Sequence, residues 1–414
     1  MQKIIAIDAS PNLSRNDVKI ALCSIIAPWS WKKKENLIKL KRYFLDLYQC
    51  EDVIITQSGR YALYLLLSTI VEKEDEVLVQ AFTCLVVPNA VMWSGARPIF
   101  VDIDKNTYNF DLNDFKKKIT KKTKAVIVQH TFGIAAQIDE IRNICNQIGI
   151  FLIEDCAHSI GAKLHSKLVG TFGDAAIFSF NQDKVVSGVN GGLMIINNNF
   201  LLNKMKSKTE ILKFPSYGSM FKSLLHPVVC WVALPLYNTL SIGKAILWLA
   251  WKLGILHKTI SELEIKGENP EKVLLSIANP QAKLIIAGLH RLMHENKKRI
   301  DIAHKYFDQL RASEIIHPRF PDACEPIFLR YPIQVEDPNS LVSFARREEI
   351  ILGKWYNSPV FPLDITSYQY YTHGSCPVAE AVSKKIVNLP TFPRMTDHDV
   401  DRVIKTIQRF YGNT

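Results

Sequence analysis

Residues 151–195 decide the fold class, and they read FLIEDCAHSIGAKLHSKLVGTFGDAAIFSFNQDKVVSGVNGGLMI. The apolar run FLIE ends in an acid at Asp155, and a histidine follows at His158. A second β-rich run, AAIFSF, delivers Ser179, with Lys184 five residues further on. A glycine pair then opens a third run, LMII. Short apolar runs that end in polar residues are typical of buried parallel strands whose carboxyl ends form a ligand site.

An acid at one strand end and a lysine just beyond the next are the groups that a pyridoxal phosphate (PLP) site needs. The lysine forms a Schiff base with the cofactor, and the acid pairs with the pyridine nitrogen so that the ring acts as an electron sink. Taken singly, an aspartate at a strand end is usually a turn former or helix cap, and a lysine is usually solvated. The ordered set of acid, histidine, serine, lysine and glycine pair favours the cofactor site.

Further motifs lie on both sides of this stretch. The full set is QSGRYAL at 57–63, SGARPIFVDID at 94–104, HTFG at 130–133, EDCAH at 154–158, GTFGD at 170–174, FSFNQDK at 178–184 and NLP at 388–390. This set resembles the motifs of the DegT/DnrJ/StrS-type sugar aminotransferases, which are fold-type-I PLP enzymes. The resemblance is dense over residues 50–200 and thinner over 275–412.

The resemblance implies a role for each matching residue. Lys184 would be the catalytic lysine, and Asp155 would hold the pyridine nitrogen. His158 would lie close to the PLP ring and its 3-hydroxyl, although a buried, satisfied histidine is the simpler alternative. Ser179 would bind the phosphate through its hydroxyl. Members of the family with histidine at the lysine position are sugar dehydratases, so Lys184 favours transamination.

The turn at Ser58 is the second expected contact with the cofactor. A strand, VIIT, precedes it and a helix, RYALYLLLSTIV, follows it. This arrangement places the backbone N–H groups of Gly59, Arg60 and Tyr61 at a helix N-terminus, where phosphate binds well. Arg60 would add positive charge there. An ordinary capped helix is the alternative, and His130, at a nearby strand end, is either part of the site or structural.

The order of elements along the chain predicts an α/β fold. The runs EVLVQ, RPIFVD and AVIVQH alternate with helical segments, which indicates a mostly parallel sheet flanked by helices. Apolar spacing predicts one of these helices over residues 35–48. The resemblance implies a fold-type-I PLP aminotransferase with a smaller C-terminal α+β domain. We expect a large PLP-binding domain at 1–215, an apolar insertion at 216–260 and the small domain at 261–414.

Three segments depart from the family pattern. Cys84 stands where the family has an aromatic residue that stacks on the PLP ring, so Phe82 or Trp93 would have to take its place. The segment LSIANPQA at 275–282 lacks the asparagine and arginine that the family uses near the neighbouring subunit. The segment SPVF at 358–361 lacks a histidine found near the substrate. These departures leave the sugar and the dimer contact open.

Composition limits the remaining possibilities. The eight cysteines show neither a CxxC pair nor His/Cys ligand spacing, so we predict free thiols in a reducing cytoplasm and no metal site. The start of the chain, MQKIIAIDAS, does not resemble a secretory signal. A net charge of +11 favours anionic partners, but the chain has no recognition module for nucleic acid. An anionic nucleotide sugar explains part of this charge.

The insertion is the second unusual feature. Residues 223–243 carry no Asp, Glu, Lys or Arg, and tryptophans with flanking lysines continue to residue 256. Pro227, Pro235 and Gly243 favour a broken pair of amphipathic helices over a membrane span. Tryptophan and lysine together suit a membrane surface. Two interpretations stay open: 223–256 lies on the inner face of the membrane, or it packs on the enzyme's own core or on a dimer partner.

The expected function is therefore a cytoplasmic, PLP-dependent aminotransferase. It would move an amino group from glutamate to a keto-sugar, nucleotide-linked, in the synthesis of surface polysaccharide or other glycans, and it would act as a homodimer. One alternative is a PLP enzyme acting on a lipid-linked sugar at the membrane. The other is a non-catalytic regulatory or scaffold protein, which has no chemical need of Lys184 or Asp155.

Overall fold

The computed structural model describes residues 4–7, 10–209, 212–237, 239–256, 259–270, 274–311, 314–364 and 367–412. Within these ranges the strands are β1 (Ile5–Ala6), β2 (Asp52–Thr56), β3 (Glu76–Gln80), β4 (Thr83–Cys84), β5 (Arg97–Val101), β6 (Thr123–Gln129), β7 (Phe151–Asp155), β8 (Lys163–Leu164), β9 (Lys167–Leu168), β10 (Ala175–Ser179), β11 (Gly192–Ile196), β12 (Cys324–Glu325), β13 (Tyr331–Gln334), β14 (Ile350–Ile351), β15 (Val360–Phe361) and β16 (Ile386–Leu389).

The α-helices of the same ranges are α1 (Arg15–Ile25), α2 (Glu35–Tyr48), α3 (Gly59–Ile70), α4 (Val86–Trp93), α5 (Leu112–Lys118), α6 (Ile138–Ile148), α7 (Asn199–Thr209), α8 (Tyr217–Ala233), α9 (Ile242–Lys252), α10 (Glu262–Ile265), α11 (Asn279–Leu289), α12 (Leu292–Gln309), α13 (Pro338–Arg347), α14 (Pro377–Lys385) and α15 (Asp397–Phe410). Short 3₁₀ turns cover Pro28–Ser30 and Thr131–Gly133.

A seven-stranded sheet forms the centre of the molecule, in the order β2-β11-β10-β7-β6-β3-β5. All neighbouring pairs are parallel except those that β11 makes with β10 and β2. Because β11 runs against its neighbours, its first residue, Gly192, lies at the same edge as the last residues of the parallel strands. The predicted α/β fold with a mostly parallel sheet is therefore confirmed.

Both faces of this sheet are buried. Leu78 and Leu152 belong to one apolar core, which extends from Ile5 in β1 to the C-terminal helix α15. Their chain neighbours Val79 and Ile153 belong to the second core, on the other face. Successive side chains of a strand point to opposite faces, so apolar runs with little alternation are what a sheet covered on both sides requires.

The insertion contains two helices, as the sequence predicted. The break falls in the connection after α8, which contains Pro235, whereas Pro227 lies inside α8. The inner face of α8 packs on the protein's own N-terminal helix, with Met220 and Leu224 against Ala21. None of the described helices is both long and apolar enough to cross a bilayer.

The C-terminal part of the chain packs on the N-terminal part. Helix α11 packs on α2, β1 pairs with β14, and β15 pairs with β4. A two-stranded antiparallel sheet of β13 and β16 lies among helices α12 to α15. The division of the chain at residues 215 and 260 remains a prediction.

Candidate active site

A cavity of about 380 Å³ opens at the carboxyl edge of the central sheet. Every residue that the sequence proposed for the cofactor site lines it: Gly59, Arg60, Tyr61, Asp155, His158, Ser179 and Lys184. Ligands of open α/β sheets bind at this edge because loops and helix N-termini meet there. The sequence-predicted set is therefore one spatial cluster.

One end of the cavity has the properties of a phosphate site. Helix α3 begins at Gly59, and Ser58, its N-cap, makes no side-chain capping bond. The buried Oγ of Ser58 has no hydrogen-bond partner among the described residues. Strand β11 approaches so closely that a Cβ on Gly192 would lie 2.0 Å from the carbonyl carbon of Ser58. An orphaned hydroxyl beside free N–H groups at a helix N-terminus fits a phosphate.

Asp155, the last residue of β7, supplies a buried acid. One carboxyl oxygen accepts a hydrogen bond of 3.0 Å from the N–H of Ala157. Burial raises the pKa of Asp155, and the nearby positive charge of Lys184 opposes that rise. A buried carboxylate needs a cationic partner, and a protonated pyridine nitrogen meets this need.

His158 is held in its neutral form by its surroundings. Its Nδ1 accepts a hydrogen bond of 3.4 Å from the N–H of Phe132, which leaves the proton on Nε2, 3.3 Å from the hydroxyl of Tyr356. The ring also stacks on Trp355, with 5.4 Å between centroids. Burial lowers the pKa of His158 well below its usual value, and Lys184 and Arg330 lower it further.

Both the side chain and the backbone of Lys184 contact other residues. Its Nζ lies 5.0 Å from the ring centroid of Trp355. Its carbonyl oxygen accepts a hydrogen bond of 2.7 Å from Nδ2 of Asn12. The fully buried Arg299 donates to Oδ1 of Asn12 at 2.8 Å and to the carbonyl of Val185 at 3.3 Å. Sequence reasoning missed Asn12 and Arg299, because no local pattern indicates contacts across so many residues.

The charge expected of Arg60 at the phosphate end is paired elsewhere. Its guanidinium forms an ion pair with Glu264 and donates to the carbonyl oxygen of Thr259 at 2.5 Å. Burial lowers the pKa of Arg60. Glu264 caps α10 by accepting from the N–H of Ser261 at 2.7 Å. Arg60 thus fastens the segment after the insertion to the cavity wall, which corrects the expected free charge.

His130 lies outside this cavity. It is fully buried, and its Nε2 lies 3.0 Å from Oε2 of Glu154. Glu154 also accepts hydrogen bonds from the N–H groups of Gly170, Phe172 and Gly173. The Sγ of Cys156 lies near this pair. His130 therefore pairs with the acid that holds the loop before β10. This agrees with the structural interpretation of His130 and not with a role in the cofactor site.

The two proposed replacements for the missing aromatic residue do not reach the cavity. Phe82 is fully buried and packs edge-on against Tyr356. Trp93 stacks on Tyr61 and donates to the carbonyl of Gly267 at 2.8 Å. Cys84 does line the cavity, where burial raises the pKa of its thiol. Among the described lining residues the rings are those of Tyr61, His158 and Tyr356.

Helix α8 and the segment at 275–282 also line the cavity. Helix α8 contributes Ser219, Met220 and Ser223. The segment at 275–282 contributes Ser276 and Gln281, among others. Asn279 of this segment is engaged in another contact, since its Oδ1 accepts from the N–H of Asn36 at 2.9 Å. The insertion therefore forms part of the lining of the cavity that contains Lys184.

A family model agrees with this geometry. The model of the DegT/DnrJ/EryC1/StrS aminotransferase family matches residues 21–224 and 274–408, which is most of the chain. The chain belongs to this family. The internal residues that the model leaves unmatched, 225–273, hold the second half of α8, together with α9 and α10.

Two curated proteins and one solved structure illustrate the similarity to known proteins. GDP-perosamine synthase of Vibrio cholerae is 33% identical over 195 residues, which are 47% of this aminotransferase and 53% of that protein. GDP-perosamine synthase of Escherichia coli O157:H7 is 25% identical over 97% of this chain and 98% of its own. Among solved structures, the aminotransferase PseC of Helicobacter pylori, involved in the biosynthesis of pseudoaminic acid, matches with a TM-score of 0.74 and 16% identity over 100% of both chains.

All eight cysteines are free, as the sequence predicted, and six of them lie away from the cofactor cavity and from Glu154.

Three observations of this aminotransferase support the fit of the cavity to PLP. They are the orphaned hydroxyl of Ser58, the buried acid at Asp155 and the lysine that faces the same cavity.

Proposed function

We propose that this aminotransferase uses PLP to move an amino group from glutamate to a nucleotide-linked keto-sugar in glycan synthesis. The observation that carries the proposal is the meeting of Asp155, Ser179 and Lys184 in one cavity beside a helix N-terminus. Relatives named GDP-perosamine synthase support a sugar as acceptor. Glutamate as donor follows from the resemblance to the family.

Each residue has a distinct task in this proposal. Lys184 binds the cofactor covalently, and its freed amine moves the proton at the substrate carbon that carries nitrogen. Asp155 holds the pyridine nitrogen, and neutral His158 lies beside the ring. PLP, when bound, supplies the electron sink.

The phosphate of the cofactor would be held mostly by neutral donors. They are the Ser179 and Ser58 hydroxyls and the backbone N–H groups at the start of α3, from Gly59 to Tyr61. Because Arg60 is paired with Glu264, this end of the site depends on the helix N-terminus more than on side-chain charge.

Part of the cavity lining suits a sugar. It presents hydroxyl groups from Ser219, Ser223, Ser261 and Ser276, together with the amide of Gln281. Such groups both donate and accept hydrogen bonds, which matches the hydroxyls of a hexose. We propose that these residues distinguish one keto-sugar from another.

We also propose a cytoplasmic homodimer with the active site near the interface. Leu263 and Ile265 of α10 are 43% and 42% exposed, and Glu264 between them lines the cavity. An apolar pair on the rim of an active site suits a second subunit. Light scattering on the purified protein tests this, and a monomer at working concentration would contradict it.

A lipid-linked sugar is the second candidate acceptor. Helix α8 supports it, because Ser219 and Ser223 line the cavity while Tyr217 and Phe221 of the same helix are 49% and 41% exposed. A substrate held in a membrane could reach the cavity along such a helix. Competition between a nucleotide-linked and a lipid-linked keto-sugar for turnover separates the two acceptors.

The first test is the visible spectrum of the protein with PLP. We expect an absorbance band above about 400 nm that disappears in Lys184→Ala, because a lysine bound to PLP absorbs there. The control is Lys163→Ala, which removes a half-exposed lysine paired with Glu325 and should keep the band. Glutamate should bleach the band, and a nucleotide-linked keto-sugar should restore it. A spectrum independent of Lys184 would refute the assignment and favour a non-catalytic role.

A further inference from the structure

Exposed apolar side chains are concentrated on one part of this protein. The described residues carry 22 exposed large apolar side chains, and 12 of them lie at positions 22–29 and 217–253. The most exposed of these 12 are Leu240 at 86%, Ile26 at 75% and Trp29 at 74%. Water-exposed patches of this kind usually mark a surface that meets a partner or a membrane.

Helix α9 illustrates how one-sided the packing is. Only Gly243 and Ala250 of this helix are buried. Trp248, Leu249 and Trp251 are each more than half exposed. The fully buried residues of this three-turn helix are thus both small, and several of its large apolar residues face outward.

Separate segments of the chain converge on this surface. The rings of Trp31 and Tyr217 lie 5.7 Å apart, and Lys32 Nζ lies 4.5 Å from the ring centroid of Tyr217. This joins the 3₁₀ turn that carries Trp29 to the start of α8. At the other end, a Cβ on Gly243 would lie 2.2 Å from the carbonyl oxygen of Ala233, so α9 is closely packed on α8.

The charges of the surface are mostly positive, although Glu35 lies 3.8 Å from Lys33 at its edge. Residues 18–34 and 211–261 contain no aspartate or glutamate, whereas lysines occur at 19, 32, 33, 34, 213, 222, 244, 252 and 258. Lys252 lies 4.1 Å from the ring centroid of Trp248, and Lys244 lies 5.1 Å from that of Tyr237. Lysines among tryptophans are typical of protein surfaces at the headgroup level of a bilayer.

We propose that the 3₁₀ turn at Pro28–Ser30, the outer face of α8 and helix α9 form a surface that binds an anionic phospholipid bilayer. We call it the lipid-binding surface. It would lie in the headgroup region, since none of the described helices is long and apolar enough to span. Its tryptophans and leucines would enter the interface, and its lysines would contact lipid phosphates.

A second copy of the chain is the competing occupant, and charge argues against it. In a twofold interface the same patch faces itself, so lysines of one copy would meet lysines of the other, and Glu35 beside Lys33 would offset only part of this charge. Like charges brought together in this way disfavour the contact. An anionic bilayer complements both the apolar and the basic groups.

Vesicle flotation tests the proposal with the full-length protein. We expect the protein to float with phosphatidylcholine vesicles that contain phosphatidylglycerol, and to float much less with phosphatidylcholine alone. Binding should weaken between about 0.1 M and about 1 M salt, where the Debye length falls from about 10 Å to about 3 Å. A protein that stays in solution with the anionic vesicles overturns the proposal.

Two pairs of matched variants separate the apolar and basic contributions. Trp248→Ser with Trp251→Ser should lower the bound fraction about ten-fold. Its control, Met293→Ser with Phe307→Ser, changes two exposed residues of α12 and should leave binding unchanged. Replacing Lys32, Lys33 and Lys34 by Gln should lower the affinity about 100-fold, because each lysine near an anionic surface contributes about five-fold. The matched control replaces the exposed Lys116, Lys117 and Lys121.

The proposal is independent of the sugar assignment. None of these substitutions falls in the cavity, so the PLP spectrum of each variant reports that it has folded. Unchanged vesicle binding by the tryptophan variant overturns the proposal. So does a change from dimer to monomer in that variant without lipid, which would assign the surface to a second copy.

Discussion

At the scale of single residues, the groups closest to the chemistry could be read from the sequence. Asp155 and Ser179 end neighbouring strands, and parallel strand ends meet by construction. The residues that contact the site residues could not be predicted from the sequence. Asn12, Trp355 and Glu264 come from distant parts of the chain, and only the folded backbone brings them to Lys184 and Arg60.

His158 gives the first prediction, a pH dependence of stability. Its folded pKa is lowered by burial, so the unfolded chain takes up a proton first as the pH falls. The contribution of His158 to stability is complete above the unfolded pKa of about 6.5 and declines as the pH falls below it. In His158→Gln, the free energy of unfolding should fall less between pH 7.5 and pH 5 than in the native protein, as measured by denaturant unfolding. The exposed His304→Gln is the control, and an equal slope in all three proteins would contradict the prediction.

Glu264 gives the second prediction. The carboxylate of Glu264 neutralises Arg60 beside the phosphate end of the cavity. Glu264→Gln should therefore tighten the binding of inorganic phosphate several-fold, by freeing the guanidinium. It should also lower the free energy of unfolding by roughly 3 kcal/mol, because a buried charge loses its partner.

Titration calorimetry with phosphate and denaturant unfolding measure these two effects. The control is Glu262→Gln, which changes an exposed acid of α10 two residues before Glu264. If Glu264→Gln bound phosphate no better than this control, the prediction would be wrong, because breaking the ion pair would not make the charge of Arg60 available to phosphate.

At the scale of elements, local patterns predicted most helices and strands. Helix α2 covers residues 35–48, as the apolar spacing indicated. The insertion forms two helices, but Pro227 is accommodated inside α8 and does not end it. The short helix α10 and its contact with Arg60 were not predicted, since four residues carry too little periodicity to recognise.

The packing of α9 on α8 gives the third prediction. Gly243→Ala should lower the free energy of unfolding by roughly 1–3 kcal/mol, because the added methyl would overlap the carbonyl of Ala233. Gly218→Ala, in α8, meets no atom within 4 Å and should stabilise the protein by roughly 0.5–1 kcal/mol. Denaturant unfolding of the two variants gives the measurement. Equal effects of the two substitutions would show that the helices are not in close contact.

At the scale of the whole molecule, the α/β class could be predicted because alternating strands and helices allow few arrangements. The way in which the C-terminal part packs on the N-terminal part could not, because it depends on pairings such as β1 with β14 and β4 with β15. The partition into a large domain, an insertion and a small domain is still a prediction.

Cofactor binding gives the fourth prediction. The cavity lies on strand ends between the two apolar cores, so a bound ligand should resist unfolding of the whole protein. PLP at about 100 times its Kd should add about 2.7 kcal/mol to the free energy of unfolding. Thermal unfolding measures this. Lys184→Ala should show a smaller gain at the same PLP concentration, and a gain equal to that of the native protein would exclude covalent attachment.

The hydrogen bond between Asn12 and Lys184 has a consequence for how the protein is made. The N-terminal segment leaves the ribosome first, yet β1 pairs with β14 and Asn12 is bound by Arg299. The active lysine is therefore not fastened until residues near 350 have emerged, roughly 20 to 70 seconds later at translation rates of roughly 5–20 residues per second. A nascent chain should capture its cofactor only after residues near 350 have emerged.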